Sequence, residues 1–271
     1  MTNGIELRSI KENEIPLVKD FPPPDWSVDL SKLYSFHFGE PYFYAGIALI
    51  DKKIVGTGMV ILNKNVAWLG TIIVIEEFRN KGIGQAVTKH LVDRAKDNGA
   101  TKVLLVASEL GRPMYEKLGF KHSTNYLIFK EGTTEYSVSK NSILKIDKTD
   151  FETILSLDKT ASGEDRRRII ERTYLTGFKF VSENKLTGFY LPDFGNGLIV
   201  ALNESSGLEL LKFRCINNNT KIAIPESNKV ALNFLLSHGF TESLKVPRMY
   251  LGSETSWKPE MIYARGSGYL G

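Results

Sequence analysis

Cysteine is almost absent from this chain, with Cys215 the single one among 271 residues. No internal disulfide can form, and no cysteine-based metal cluster can be built. Histidine is nearly as scarce. His37, His90, His122 and His238 are scattered without ligand spacing, so no metal is implied. No apolar run approaches the roughly 20 residues that span a bilayer, and the opening MTNGIELRSIKENEI has no apolar signal core. A cytoplasmic location with no membrane partner is the expectation. A strong charge of either sign is also lacking. The net charge of +4 is too mild and too evenly spread to argue for nucleic acid as a partner, although it suits an anionic ligand. The densest basic patch, Asp165-Arg166-Arg167-Arg168, precedes Ile169-Ile170 in a helical pattern and reads as a solvated helix face.

What is present is the composition of a globular protein, 42% hydrophobic and 24% charged, long enough for one large or two ordinary domains. The first half reads as mixed α and β. Strands are expected at Ile5–Arg8, Tyr42–Asp51, Lys53–Asn63, Trp68–Ile75, Lys102–Val106 and 121–130. Helices are expected at Glu12–Lys19, Asp29–Phe36, Gly84–Asn98 and up to Leu118. The triple proline of Phe21–Trp26 breaks regular structure. The polar stretch Glu131–Glu135 is the expected linker. The second half then repeats the plan, with strands at Ser142–Ile146, Phe178–Ser182, Lys185–Leu191 and Gly197–Leu202, and helices at Phe151–Leu157 and Leu232–Ser237. Gly119-Phe120 and Gly239-Phe240 lie 239 − 119 = 120 residues apart. The same offset sets Ser108 against Asn228 and Tyr115 against Leu235.

One connected constellation carries chemistry. The apolar run Trp68–Ile75 leads into Arg79-Asn80-Lys81-Gly82-Ile83-Gly84, and Pro113-Met114-Tyr115 through Gly119-Phe120 follow downstream. Gly82 and Gly84 let backbone N–H groups approach a ligand, and the helix that follows aims its unpaired N–H groups at the same spot. A diphosphate is the natural occupant, with Arg79 and Lys81 adding positive charge. No Gly-Lys-Ser/Thr follows, which excludes a P-loop, and the third glycine of a dinucleotide fingerprint is missing.

These motifs resemble the acetyl-CoA-binding core of the GNAT superfamily of N-acyltransferases, whose loop reads Arg/Gln-x-x-Gly-x-Gly/Ala. Arg79, Gly82 and Gly84 match it, and Tyr115, Gly119 and Phe120 match its downstream Tyr-x-x-x-Gly-Phe. Gly111-Arg112-Pro113-Met114-Tyr115, Gly163-Glu164-Asp165-Arg166, Asn228-x-x-Ala231 and the end from Arg248-Met249-Tyr250 to Ile262-Tyr263-Ala264 resemble tandem members with a degenerate second domain. The resemblance implies an α/β protein of two GNAT-like domains, each a mostly antiparallel sheet flanked by helices. It implies a catalytic domain over 1–132 and a degenerate, structural or acceptor-binding domain over 137–271. The second half has only Asn203–Gly207 where the phosphate loop should be, and it lacks the tyrosine.

By the same resemblance the activity is acetyl transfer from acetyl-CoA to an amine, a small molecule sooner than a protein. The pantetheine arm pairs with Ile72, Ile73 and Val74, and the Val74 N–H polarises the thioester carbonyl. The backbone of Asn80, Lys81, Gly82, Ile83, Gly84 and Gln85 holds the diphosphate. Ser108 stands where many members have asparagine and is kept as a cofactor contact, with Gly111 beside it. Tyr115 is the general acid. The amine side draws on Asp25, Trp26, Tyr34, Phe36, Phe43 and Tyr44, with Tyr250 or the tail reaching it from the second domain. Asp25, His37, Glu40, Glu76 or a water relay are open choices for the general base. A non-catalytic acyl-CoA-binding module is the alternative reading, and oligomeric state is left open.

Overall fold

The computed structural model describes residues 4–26, 28–132, 137–138, 142–217, 221–254 and 256–270. Most of the expected linker lies outside the described residues. Contacts divide the chain into two units: Met1–Lys121 with Met249–Ser253, and His122–Arg248 with Glu254–Gly271.

In unit 1, β1 (Glu6–Ser9), β2 (Phe43–Ile50), β3 (Lys53–Asn63) and β4 (Val66–Val74) form an antiparallel run. β5 (Lys102–Val106) joins β4 in parallel, and the end of β12 (Thr241–Gly252) lies next to β5. The parallel pair requires a crossover, which α2 (Ile83–Asp97) supplies. Ile83, Val87 and Leu91 of α2 pack against Val55, Val60, Leu69, Val103 and Leu105 in one core. Each such aliphatic side chain, fully buried, contributes about 1.5–3 kcal/mol. Before β2 come α1 (Leu30–His37) and a 3-10 turn over Glu12–Val18. An α-helix is expected in that second place, but Pro16 removes a donor there and the segment tightens into 3-10 geometry. α3 (Arg112–Lys117) closes the unit, and Gly119 ends it at φ +88°.

Unit 2 repeats this order. β7 (Ile143–Lys145), β8 (Phe178–Ser182), β9 (Lys185–Leu191) and β10 (Leu198–Ala201) are again consecutive and antiparallel, with β13 (Ile262–Ala264) beyond β10. β2 and β8 each turn into the next strand through two left-handed residues, Asp51-Lys52 and Glu183-Asn184. Such turns match the right-handed twist of the flanking strands. α6 (Glu204–Asn217), β11 (Ile222–Pro225) and α7 (Lys229–Ser237) follow, and β11 pairs with β6 (Lys121–Lys130). β5 and β11 begin 222 − 102 = 120 residues apart, the offset of the Gly-Phe pairs. α6 itself is not anticipated from sequence, because it starts on the polar Glu204-Ser205-Ser206-Gly207.

The basic run before α5 (Arg167–Ile170) corrects an expectation. Arg167 and Arg168 are exposed, but Arg166 is buried. It precedes the helix and turns inward, where its Nε donates to Asp158 Oδ2 at 3.0 Å and its Nη2 donates to Asp158 Oδ1. Asp158 lies on α4 (Phe151–Ser162), and the Phe194 ring covers the guanidinium at 4.9 Å.

Candidate active site

β4 is where the sheet of unit 1 opens. Its register with β5 ends at Trp68↔Leu104, although both strands run on, to Val74 and Val106. On the β3 side the register slips between Thr57↔Ile73 and Met59↔Gly70, so β4 carries one extra residue there. Thr71 takes it up at φ +51°, an uncommon place for a β-branched residue and the mark of a bulge. Past the bulge, the Ile75 N–H donates to Val55 O on β3 at 3.0 Å. Backbone groups alternate in direction along a strand, so the N–H and C=O of Val74 face the opening. The Val74 carbonyl is met there by Arg79 Nε at 3.2 Å. Ile72 and Val74 are half-buried on this free length, and Ile73 is buried.

The loop after β4 runs through a 3-10 turn, Glu76–Phe78, into α2. Asn80 at φ +61° and Gly82 at φ +79° turn the chain, and buried Ile83 anchors it. The first intrahelical bond runs from Ala86 N to Gly82 O at 3.0 Å. The N–H groups of Ile83, Gly84 and Gln85 precede it and are not used by the helix. Arg79, Asn80, Lys81 and Gln85 are exposed around them. Lys81 donates to Glu77 O at 3.1 Å and lies 4.8 Å from the Phe78 ring centre. A Cβ on Gly84 would stand 3.4 Å from Met114 Sδ and 3.7 Å from Val74 Cγ2. The end of β4, the start of α2 and the start of α3 therefore meet at one point.

Tyr115, next to Met114, is 8% exposed and packs edge-on against Phe120 at 5.9 Å. Burial pushes its phenol pKa well above the ordinary range. A Cβ on Gly111 would fall 2.9 Å from the Tyr115 ring, so a glycine lets the ring lie along the backbone. Ser108 Oγ accepts from Gly111 N at 3.1 Å and so braces the entry to α3.

The amine-side residues are distributed differently from the expected aromatic wall. Trp26 and Phe36 are partly exposed, at 40% and 48%, while Phe43 is half-buried against His37 and Tyr34. The Asp25 side chain lies outside the described residues. Tyr34 is fully buried, with its hydroxyl 3.1 Å from Thr57 Oγ1 and 3.0 Å from Thr71 Oγ1. It stands behind the bulge, not on an open wall. Tyr44 bonds His90 Nε2 at 2.7 Å, and His37 is buried against the Tyr42 hydroxyl at 3.2 Å. Glu76 is exposed and Glu40 half-buried. Thr57 and Thr71 belong to the site and are missed by sequence reading. The Gly70-Thr71 break in an apolar run is the signal that marks Thr71.

The corresponding place in unit 2 is shut. Only Leu202 and Asn203 separate β10 from α6. The Asn203 side chain caps the helix by accepting from Ser206 N at 3.0 Å. The Tyr263 ring lies on Gly207, where a Cβ would fall 2.2 Å from it. Asn228 is likewise used structurally, accepting from Ala231 N and donating to Glu260 O and Ile262 O.

A mixed sheet that splays beside a glycine-started helix defines the architecture of a GCN5-related acetyltransferase. The Acetyltransferase (GNAT) family profile matches residues 12–120, and an Acetyltransferase (GNAT) domain profile matches residues 154–264. The chain belongs to the GNAT acetyltransferase family and carries two of its domains in tandem. A glucosamine 6-phosphate N-acetyltransferase from Trypanosoma brucei brucei is 30% identical over 76 residues, which cover 26% of this chain and 52% of that protein. The match thus spans about half the length of that curated relative. A Pyrococcus horikoshii protein provisionally classed as an acetyltransferase superposes with a TM-score of 0.82 at 22% identity, covering 99% of this chain and 96% of the other. A tandem GNAT protein from the clavulanic acid biosynthesis pathway gives 0.60 at 12% identity, with 93% and 99% covered. These likenesses extend the shared fold over both units.

Proposed function

We propose that unit 1 transfers an acetyl group from acetyl-CoA to a primary amine on a small molecule, and that unit 2 binds no acetyl-CoA. The observation that carries this reading is the free length of β4 beside the unused N–H groups of α2, with Met114, the residue before Tyr115, at their junction. The residues fit acetyl-CoA by chemistry. Ile83, Gly84 and Gln85 offer N–H donors to a diphosphate at a helix N-terminus, with Asn80, Gly82 and the side chains of Arg79 and Lys81 around them. Ile72 to Val74 offer a strand edge to the amide-rich pantetheine. The Val74 N–H faces the opening and serves as the donor to the thioester oxygen.

The substrate amine attacks the thioester carbon and the C–S bond breaks. Tyr115 hands its proton to the departing sulfur, and the proton of the amine leaves through water. Holding both reactants in one complex supplies much of the rate. Because one relative is named for an amino sugar phosphate, such an amine belongs in the acceptor panel beside apolar and polyamine acceptors.

Titration with acetyl-CoA by calorimetry tests the reading. One site per chain is expected. Gly82→Val, which forces a β-branched residue to φ +79°, is expected to weaken binding by tenfold or more, since such strain costs about 1–3 kcal/mol. Two sites would open unit 2, and no binding would end the proposal.

A further inference from the structure

Three hydroxyls form a chain across unit 1 behind the bulge. Thr57 Oγ1 donates to Gly46 O on β2 at 3.0 Å. A hydroxyl has one proton to give, so Thr57 accepts from the Tyr34 hydroxyl at 3.1 Å. Tyr34, having donated, accepts from Thr71 Oγ1 at 3.0 Å. The direction is fixed from end to end: Thr71 to Tyr34, Tyr34 to Thr57, Thr57 to the β2 carbonyl. The chain ties together β4, α1, β3 and β2 at the place where the β3–β4 register slips. Thr71 is the residue at φ +51°, and Tyr34 and Thr57 are both 0% exposed. Burial raises the phenol pKa to about 12, against the lowering effect of the two threonine hydrogen bonds, so the proton stays on the hydroxyl at neutral pH. A tyrosine ring also fits packing here, edge-on to Phe43 at 5.8 Å. Packing alone does not call for a hydroxyl placed between two threonines.

We infer that Tyr34 is a positioning residue: its hydroxyl locks the Thr71 bulge and thereby aims the free backbone edge of Ile72–Val74 at the pantetheine arm. The inference rests on the acetyl-CoA reading above. It separates two parts of one ligand. The bulge governs the strand edge, whereas the loop from Arg79 to Gln85 lies beyond the hydroxyl chain. Loss of the hydroxyl should therefore be felt by the pantetheine half of CoA and not by the nucleotide half.

The experiment compares CoA with 3′-phospho-ADP, its nucleotide fragment, by calorimetry on the full chain. Tyr34→Phe keeps the ring and removes the oxygen. The expected result is CoA bound about fivefold more weakly, the effect of losing one or two hydrogen bonds. The 3′-phospho-ADP affinity and both stoichiometries are expected to stay unchanged. Thr71→Val, which preserves shape and removes only the donor, should give the same split and serves if Tyr34→Phe does not fold. Equal weakening of CoA and fragment would reduce Tyr34 to a packing residue and overturn the inference, as would CoA affinity unchanged in both variants. Wild-type protein that binds neither CoA nor the fragment would overturn the acetyl-CoA reading itself, an outcome visible before any variant is made.

Discussion

Tyr115→Phe is expected to lower the rate of CoA release from acetyl-CoA by about 10²–10⁴-fold, the usual weight of a positioned general acid. Acetyl-CoA affinity should stay within about twofold, because the ring, its edge contact with Phe120 and its place along Gly111 are all kept. The measurement is thiol release with the best amine of a panel, beside calorimetry on the same samples. Equal turnover in the two proteins would remove Tyr115 from the mechanism. The pH profile adds a second arm. Burial favours the neutral phenol and raises its pKa. The acid form therefore persists beyond the ordinary tyrosine value of about 10, and any loss of rate near that pH must come from another group.

The second large effect is on stability. Asp158→Ala is expected to destabilise unit 2 by roughly 3–5 kcal/mol, since it strands the buried Arg166 guanidinium without its carboxylate. Both side chains are 1% exposed. A typical domain has about 5–15 kcal/mol to lose, so the variant should unfold at markedly lower urea. Replacing both partners, as Asp158→Leu with Arg166→Met, should cost less than Asp158→Ala alone, because the guanidinium is removed together with its carboxylate. Urea midpoints of the three proteins measure this. A single variant as stable as wild type would show that Arg166 finds water or another partner when Asp158 is removed.

The loop from β4 into α2 is legible in the sequence because its turn and its flanking elements are written in neighbouring residues. An apolar β-branched strand, two glycines and an amphipathic helix leave few alternatives, and β5, β8 and β9 emerge with the boundaries their apolar and aromatic residues suggest. What escapes is set by residues far apart. The Arg166 run looks solvated because basic triplets usually are, and only the fold brings Asp158 and Phe194 to it. Tyr34 looks like part of an aromatic wall until Thr57 and Thr71, 23 and 37 residues away, are seen to meet its hydroxyl. α6 is hidden by its polar first turn, although Leu210, Leu211 and Cys215 further along are buried. The absence of a phosphate loop in unit 2 is readable from length alone, but the Tyr263 ring on Gly207 is not.

β12 is shared out between the units: Met249–Ser253 counts with unit 1, and the residues before it count with unit 2. Met249 is fully buried in the core that holds Leu105 and Tyr115, and Leu251 packs on the same core. During synthesis, then, the residues up to Lys121 leave the ribosome well before Met249–Ser253, which complete their core. A gene cut after the first Gly-Phe would encode every residue of the loop and still lack a piece of the core beneath it. The first unit is thus written in two separated pieces of the message, with most of the second lying between them.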